Sequence, residues 1–573
     1  MTTHKTFCLV IGIAITVLFA PTAMAAWPTG ETTIATNTSQ YLQAGVIDDE
    51  TGGAILTWFS SNILMAQRFA PDGTMLWTAG GADVGDLTNA WLYGRSVVAD
   101  GSGGFIYAFR RDNDIYAQHV DSTGAADWDH LGYGFPNPVP VCTNPANQYH
   151  QSMDTDGAGG VIIAWTDYRD GNMIIHAQHI DATGTPQWTL DGVPLGTTAL
   201  SHIYPLVLAD GYGGAFVSCN AYVSGGWSYV YCQHVDATGT TTWGPDGIQV
   251  SETHAGSIPT ATNDHNWNLL SDGAGGILST WRHTPYTNQV SIQASRLTAA
   301  GARVWADSVV ALTPALPSEI IAGSTTSAAT GDGGLVSGWS EPRNFAVSGY
   351  DLFINRLDGA GNLVWSASTA GIPLCTETNN QNTLALSVDP AGVTWATWKD
   401  GRSGSWQLYS QHIDAGGTAL GAVDGDAFDL NRDPVTSGPV QVSGGVFVAY
   451  SDKRNPAPDI TTNLYAKVLG GPVSAVGPVF ASDLTLSPNW PNPFSSETRI
   501  GYATGRPGFI DLSVYDLRGR RVRTLFGDAV DSGDHVARWD GRDRQGNPLA
   551  AGVYFVRLRS GGEIVSRRMT LLR

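Results

Sequence analysis

The sequence predicts an all-β protein: an eight-bladed β-propeller, with a seven-bladed ring as the rival, followed by a small β-sandwich. Three observations lead there. A turn of the form Asp-Gly-x-Gly-Gly, then an apolar strand ending in an aromatic residue, recurs in eight copies, some degenerate, with strand ends at Trp58, Phe109, Trp165, Cys219, Trp281, Trp339, Trp398 and Tyr450. Gly (69) and Pro (29) are abundant while charged residues make up only 14%, which suits short strands and tight turns better than solvated helices. Near Leu484 the repeat stops and a different series of strand and turn signals begins.

Residues 1–26 read as a signal peptide, with His4 and Lys5 ahead of the apolar run 7–20 and Ala23-Met24-Ala25 as a small-x-small end. The expected location is extracellular or on the outer cell surface. Cys8 has no small-residue box before it and is not read as a lipid anchor. No later stretch reaches the ~18 apolar residues of a membrane span. Removal of the signal leaves Cys142, Cys219, Cys232 and Cys375, an even number that suits an oxidising compartment. The net charge of −20 is uneven: residues 481–573 carry 14 Arg against 10 Asp plus Glu, so the remainder carries −24. An acidic body repels phosphates and anionic lipid surfaces, so neither nucleic acid nor membrane is expected as a partner.

Successive strand ends lie 51 to 62 residues apart, the length of one four-stranded blade. The best-preserved copy has a turn at 156–160, a strand at 161–165, a second turn at 167–172, a strand at 174–180, a third turn at 181–184 and then Trp188, which is expected to mark a third strand. A short fourth strand is expected at 192–195, echoed at 247–250 and 371–374. Gly and Asp at fixed offsets supply the positive backbone angles and self-capping of tight hairpins. A Gly-x-x-x-Trp segment recurs with Trp77, Trp128, Trp188, Trp243, Trp305 and Trp365, but Gly421 stands in its place in copy seven and copy eight lacks it. Trp27 lies 22 residues before Asp49, the same offset as Trp188 to Asp210, so the mature N-terminus supplies the missing end of blade eight. Closing the ring in this way removes two exposed sheet edges. The expected domains are the propeller at 27–470, a linker at 471–483 and the C-terminal module at 484–573.

Copy four replaces the strand-end aromatic by Cys219 and the small residue before Gln-His by Cys232, and a Cys219–Cys232 disulfide is predicted across its central hairpin. Gln118-His119, Gln178-His179, Gln233-His234 and Gln411-His412 occupy one place in the repeat, taken in copies one, five and six by Arg68, Arg296 and Arg356. Equivalent positions in a ring diverge, and Arg replaces His, so hydrogen-bonding struts between blades are expected and no metal site. The Asp-rich turns lack a twelve-residue calcium loop with its closing Glu and are read as turn chemistry. Asp167–Arg169, Asp400–Arg402 and Asp452–Arg454 share one offset, as a structural ion pair would. The Trp series, one per blade, reads as an inter-blade packing ladder.

The Asp-Ala-Thr-Gly-x-x-x-Trp form at Asp181, nearly repeated at Asp236, resembles the tryptophan-docking motif of eight-bladed quinoprotein-like propellers. The resemblance covers the repeats. The adjacent Cys-Cys pair that sits by the quinone in dehydrogenases of that family has no counterpart here, so no cofactor is expected. The Trp-x-Asp-x-Arg-Asp-Gly-Asn run from Trp165 to Asn172 is similar to blades of periplasmic TolB-type propellers, which are binding modules.

From Leu484 the chain carries Leu486-Ser487-Pro488-Asn489-Trp490-Pro491-Asn492-Pro493-Phe494, then alternating strands at 498–502 and 510–516, Trp539-Asp540-Gly541, Gly552-Val553-Tyr554-Phe555 and a final strand at 569–573. Turns every ~8–12 residues make this a small sandwich. It closely resembles the C-terminal sorting domain of type IX secretion cargo and the related Ig-like fold of flagellar hook-capping (FlgD) proteins. The resemblance implies passage across an outer membrane and a secretion machinery as partner.

The sequence holds no H-E-x-x-H, G-x-S-x-G or phosphate-cradling G-x-x-x-x-G-K. Glutamates of the repeat region, Glu31, Glu50, Glu252, Glu319, Glu341 and Glu377, are all expected in turns or irregular connections. The favoured reading is a non-enzymatic secreted or surface propeller that presents loops to a protein or glycan, with no catalytic residue assigned. The alternative is an extracellular polysaccharide hydrolase or lyase with its site in the channel, which unrepeated Asp, Glu, His or Tyr converging at one end would favour.

Overall fold

The computed structural model describes residues 32–572 except 39–44, 93–95, 130–136, 198–199, 224–226, 252–264, 286–288, 307, 315, 318–324, 343–347, 367, 430–434, 443–444, 453–461, 470–483, 487–488, 490–491, 493, 505–507, 516–520, 531–532 and 561–562. The signal peptide, Trp27, Arg454 and the linker 471–483 thus lie outside the described residues. Among the described residues the chain is all-β, with forty-one strands, and no helix is long and apolar enough to cross a membrane.

Antiparallel sheets of one plan succeed one another from Thr32 to Leu469. The third shows it: Gln148–Thr155, Val161–Asp167, Ile174–Ile180 and the two-residue Val193–Pro194 lie side by side in chain order. Its second strand is buried at every position, because each face lies against a neighbouring sheet, and its text is accordingly an apolar run with no alternation. Apolar clusters fill the spaces between sheets. Ile106, Ala108 and Val139 of the second meet Met153, Ile163 and Trp165 of the third in one such core.

The first strand of each sheet touches that of the next, through Val46–Asp48, Val97–Ala99, Gln148–Thr155, Ser201–Ala209, His265–Ser271, Thr325–Ala329, Gln381–Val388 and Val435–Val442, and the last touches the first. Thr32–Thr38 pairs with Thr462–Leu469, placing Thr32 opposite Ala466, so the N-terminal strand joins the last sheet. The architecture is propeller-like.

The tryptophan ladder runs between sheets. Trp77, Trp128, Trp188, Trp243, Trp305 and Trp365 each donate their indole N–H to a backbone carbonyl of the following sheet, at 3.0 to 3.3 Å. The turn glycine beside each acceptor is needed there. Gly239 has φ +83°, and a Cβ on it would stand 2.9 Å from the Trp188 ring.

The predicted Cys219–Cys232 disulfide is corrected: both thiols are free and buried. The hairpin register sets Cys219 opposite Tyr231 and Cys232 opposite Ser218. That single-residue offset turns the two side chains to opposite faces of the sheet, so Cys219 enters the core shared with the third sheet and Cys232 the core shared with the fifth.

The C-terminal module is a two-sheet sandwich of seven strands. Leu484–Leu486, Thr498–Thr504 and Gly533–Trp539 form one sheet; Arg521–Val530, Gly508–Tyr515, Gly552–Ser560 and Glu563–Leu571 form the other. Leu486, Ile500, Leu512, Trp539, Val556 and Met569 meet between them.

Candidate functional site

Most residues that recur are consumed by the fold. Gln178 shows the first of these clamps: its Oε1 accepts the backbone N–H groups of His179 and Trp188, and its Nε2 donates to the carbonyl of Thr189 at 2.8 Å. The next residue ties down the Asp of the Asp-Gly turn, with His119 to Asp100 at 2.9 Å, His179 to Asp156 at 2.8 Å and His234 to Asp210 at 2.9 Å. Arg68, Arg296 and Arg356 do the same to Asp49, Asp272 and Asp332. These bonds each lie within one sheet, which corrects the expectation of struts between blades for His119, His179, His234 and Arg68. Arg296 and Arg356 reach the following sheet as well, through the carbonyls of Gly359 and Ala415. His412 departs from the series and stacks on Trp395 at 4.7 Å. Among the described residues no three His, Cys, Asp or Glu gather as a metal site.

The His119 strut has a pH signature. Burial pulls its imidazole pKa down, but hydrogen bonds to Asp100 and Asp127 outweigh that and raise it above the ordinary 6.5. Burial acts against the Asp100 carboxylate, yet His119, Ser102 and backbone N–H groups lower it to about 2. The charged imidazole therefore adds stability that is complete below about pH 6.5 and is lost as pH rises through the raised value. In melting curves from pH 5 to 9, the wild type is expected to lose more thermal midpoint than His119→Gln on the alkaline side; parallel curves for the two proteins would refute this.

The predicted Asp–Arg pairs are present at Asp167–Arg169 (2.6 Å) and Asp400–Arg402 (2.7 Å). Each also holds the strand-end Trp and a free Cys: the indoles of Trp165 and Trp398 donate to the carboxylates at 2.9 and 3.0 Å, and the Arg Nη2 atoms lie 3.1 Å from Cys142 and Cys375. Burial pushes the Cys142 thiol pKa up to about 12 and raises that of Cys375 as well, which disfavours the reactive thiolate in both. Glu341, expected in an irregular connection, instead ends the strand Leu335–Glu341, fully buried, and accepts the Trp339 indole at 3.1 Å.

Unrepeated residues gather in two places near the first strands. At their Asp-Gly ends, a cavity is lined by Asp48, Glu50, Ala99, Asp154, Thr155 and, from the C-terminal module, Arg559. Asp48 is open to solvent but hemmed in by the cavity wall, and desolvation pushes its carboxyl up to about 6. Glu50 is raised by the same cause, then by Asp48, against the pull of Arg559.

At the opposite ends of the first strands lies an aromatic rim on sheets two to four. Arg110 sits 4.4 Å from the ring centre of Tyr149; Tyr149 meets Tyr168 edge-on at 5.9 Å and His150 at 6.0 Å; His150 meets Tyr204 at 4.3 Å. Trp91 stands opposite Arg110 in the pairing of Ala90–Trp91 with Phe105–Arg111, and Gln151 holds its carbonyl at 3.1 Å. His150 and Tyr204 have φ of +55° and +56° at bulges of their strands. Bulky side chains seldom adopt that conformation, and it costs about 1–3 kcal/mol where it occurs. The only sequence signal for this rim was negative: copy two has Arg110-Arg111 where copies three and seven have Thr166-Asp167 and Lys399-Asp400.

Residues 502–562 match the FlgD Ig-like domain, and the C-terminal module is Ig-like. No curated protein matches the chain. Among solved structures it is similar to a protein of unknown function from Dyadobacter fermentans, at 13% identity over 57% of this chain and 96% of that one, TM-score 0.34. It is similar to a PL25 ulvan lyase, at 10% identity over 77% and 95%, TM-score 0.38. A third likeness is to PorZ, a surface component of the type-IX secretion system of Porphyromonas gingivalis, at 11% identity over 96% and 82%, TM-score 0.19.

Proposed function

We propose that this chain is an exported, surface-displayed or secreted binding protein: a signal peptide at 1–26, a closed eight-bladed propeller at 27–470, a linker at 471–483 and an Ig-like sorting module at 484–573 that engages a secretion machinery. The eight-bladed count is supported by the cyclic succession of first strands and by the N-terminal strand in the last sheet. The sorting role is supported by the FlgD Ig-like match and by the motifs quoted from Leu486 to Phe494. The propeller presents its unrepeated residues to a protein or glycan outside the cell. One observation carries that reading: the repeated Gln, His, Trp and Asp–Arg residues are engaged in the fold, while unrepeated aromatic residues, among them the exposed Trp91, Tyr168 and Tyr204, gather on one rim.

A second reading, polysaccharide hydrolysis or elimination, is favoured by the raised carboxyls of Asp48 and Glu50, since a carboxyl near 6 can serve as acid or base, and by the unrepeated His150 and Tyr204 at one end of the first strands. A glycan array probed with the mature chain, followed by product analysis of each glycan retained, separates the two. Retention without new ends supports the binding protein. New reducing ends or unsaturated products establish the enzyme, and no retention of any glycan leaves a protein as the ligand.

A further inference from the structure

Arg110 is the most unusual charge in the rim. Only 9% of its surface is exposed, and its Nη2 donates to Asn113 Oδ1 at 2.6 Å. Its Nε is buried with no hydrogen-bond partner, and among the described residues no carboxylate lies within ion-pair distance of it. In a chain of net charge −20 this stands out. A buried guanidinium without a counter-ion is costly, and the half-buried Arg169 and Arg402 have their aspartates. The charge has instead been placed against a ring, 4.4 Å from the centre of Tyr149.

The surroundings supply the other half of a recognition site. Trp91 is 58% exposed, Tyr204 46% and Tyr168 41%; Trp91 lies across from Arg110 in the second sheet, Tyr168 packs on Tyr149 and Tyr204 on His150, over three successive sheets. The same bulge exists in the seventh sheet, where Thr383 has φ +54°, but the residues there are Asn382, Thr383 and Gly401 in place of Tyr149, His150 and Tyr168. The backbone bend therefore belongs to the fold, whereas the aromatic residues are peculiar to this rim. Next to Arg110, His150 is held below its ordinary pKa by burial and then by the guanidinium, so at neutral pH it is an uncharged hydrogen-bonding group. Flat rings with polar edges match the apolar faces and hydroxyls of a pyranose, and a guanidinium matches a carboxylate bidentately.

We infer that the Trp91–Arg110–Tyr149–His150–Tyr204 rim binds an acidic saccharide, with sugar rings on the exposed aromatic faces and a uronate carboxylate as the missing counter-ion of Arg110. This rests on the glycan arm of the function proposed above and narrows it to uronate-containing chains. The test is calorimetric titration of the mature protein with hexagalacturonate and, separately, with neutral cellohexaose. Wild type is expected to bind hexagalacturonate. Arg110→Met, which keeps the apolar stem, is expected to weaken it about ten-fold or more, with Arg110→Lys recovering part of the loss. Trp91→Ala, at an exposed position that tolerates truncation, is expected to weaken it as well, and Thr383→Ala in the seventh sheet to leave it unchanged. Hexagalacturonate binding that survives both Arg110→Met and Trp91→Ala overturns the inference. So does a wild type that binds only cellohexaose, which leaves the glycan-binding function standing; no binding of either sugar, together with a silent glycan array, removes both.

Discussion

Asp167→Ala is expected to lower the unfolding free energy by about 3–5 kcal/mol. The carboxylate is fully buried and receives the Trp165 indole at 2.9 Å, the Arg169 backbone N–H at 2.9 Å and two guanidinium nitrogens at 2.9 and 2.6 Å. Burial works against the ionised carboxyl, yet these donors hold its pKa below the ordinary value. That part of the stability is present above about pH 4 and is lost as the solution is acidified through the lowered value. The alanine variant strands a guanidinium that is only 17% exposed beside the Cys142 sulfur, and an indole N–H in a dry core. Removing the arginine too should relieve part of the penalty, so Asp167→Ala/Arg169→Ala is expected to be less damaging than the two single losses added together. Asp400→Ala in the seventh sheet repeats the experiment in the same surroundings, with Trp398, Arg402 and Cys375 around the carboxylate. Urea unfolding of the mature chain measures all of these. A loss below about 1 kcal/mol for Asp167→Ala would show that the ion pair is dispensable to its sheet.

Truncation through Thr38 is expected to be at least as severe. The strand Thr32–Thr38 completes the last sheet, and Ile34, 4% exposed, joins Trp58 and Phe69 of the first sheet and Phe447 of the last in one core. Loss of a buried Ile side chain alone costs about 2–5 kcal/mol, and the ladder hydrogen bonds to Thr462–Leu469 add about 1 kcal/mol each. Truncation also opens the edge of Thr462–Leu469, a template for pairing with another chain. The expected result is a lower melting temperature together with oligomers in light scattering after size exclusion. Ile34→Asn, which keeps the strand but spoils its core contact, should lower the melting temperature without opening that edge. A truncated chain that is monomeric and melts with the full-length protein would mean that the N-terminal strand contributes nothing to closure.

Much of the architecture was legible because a propeller-like chain repeats itself. The offset of Trp188 from Asp210, matched by Trp27 and Asp49, implies that the N-terminal segment completes the last blade, and the pairing of Thr32 with Ala466 agrees. The Trp series was readable as an inter-blade ladder for the same reason: one bulky donor at a constant offset in each copy can meet the same partner in every neighbour, as Trp188 meets the carbonyl of Ala237. The Asp–Arg pairs were readable as local ion pairs because a single residue lies between the partners. Failures fall where one residue of register matters. Cys219 and Cys232 were placed in the right hairpin but one position out of register, and in a strand that is the difference between one face and the other. Glu341 was assigned to a connection, although it ends a strand and its carboxylate takes the same indole bond as Asp167.

The sequence by itself determined the central hairpin of each sheet, the tryptophan ladder, the acidic body with its arginine-rich tail, and a small β-sandwich after it; the first strand of each sheet it did not mark, and the strand expected at Trp188 is absent. The features it determined follow from composition and from spacings that recur, and local physics acts on them in each copy alike. Only the tertiary structure decided which faces the cysteines occupy, that His119, His179, His234, Arg68, Arg296 and Arg356 close on the Asp of their own sheet, and that Trp91, Arg110, Tyr149, His150 and Tyr204 meet on one rim. The reason is physical. These last residues occur once, on three sheets as much as 113 residues apart, so no spacing announces them, and they become neighbours only when first strands from successive sheets are brought side by side.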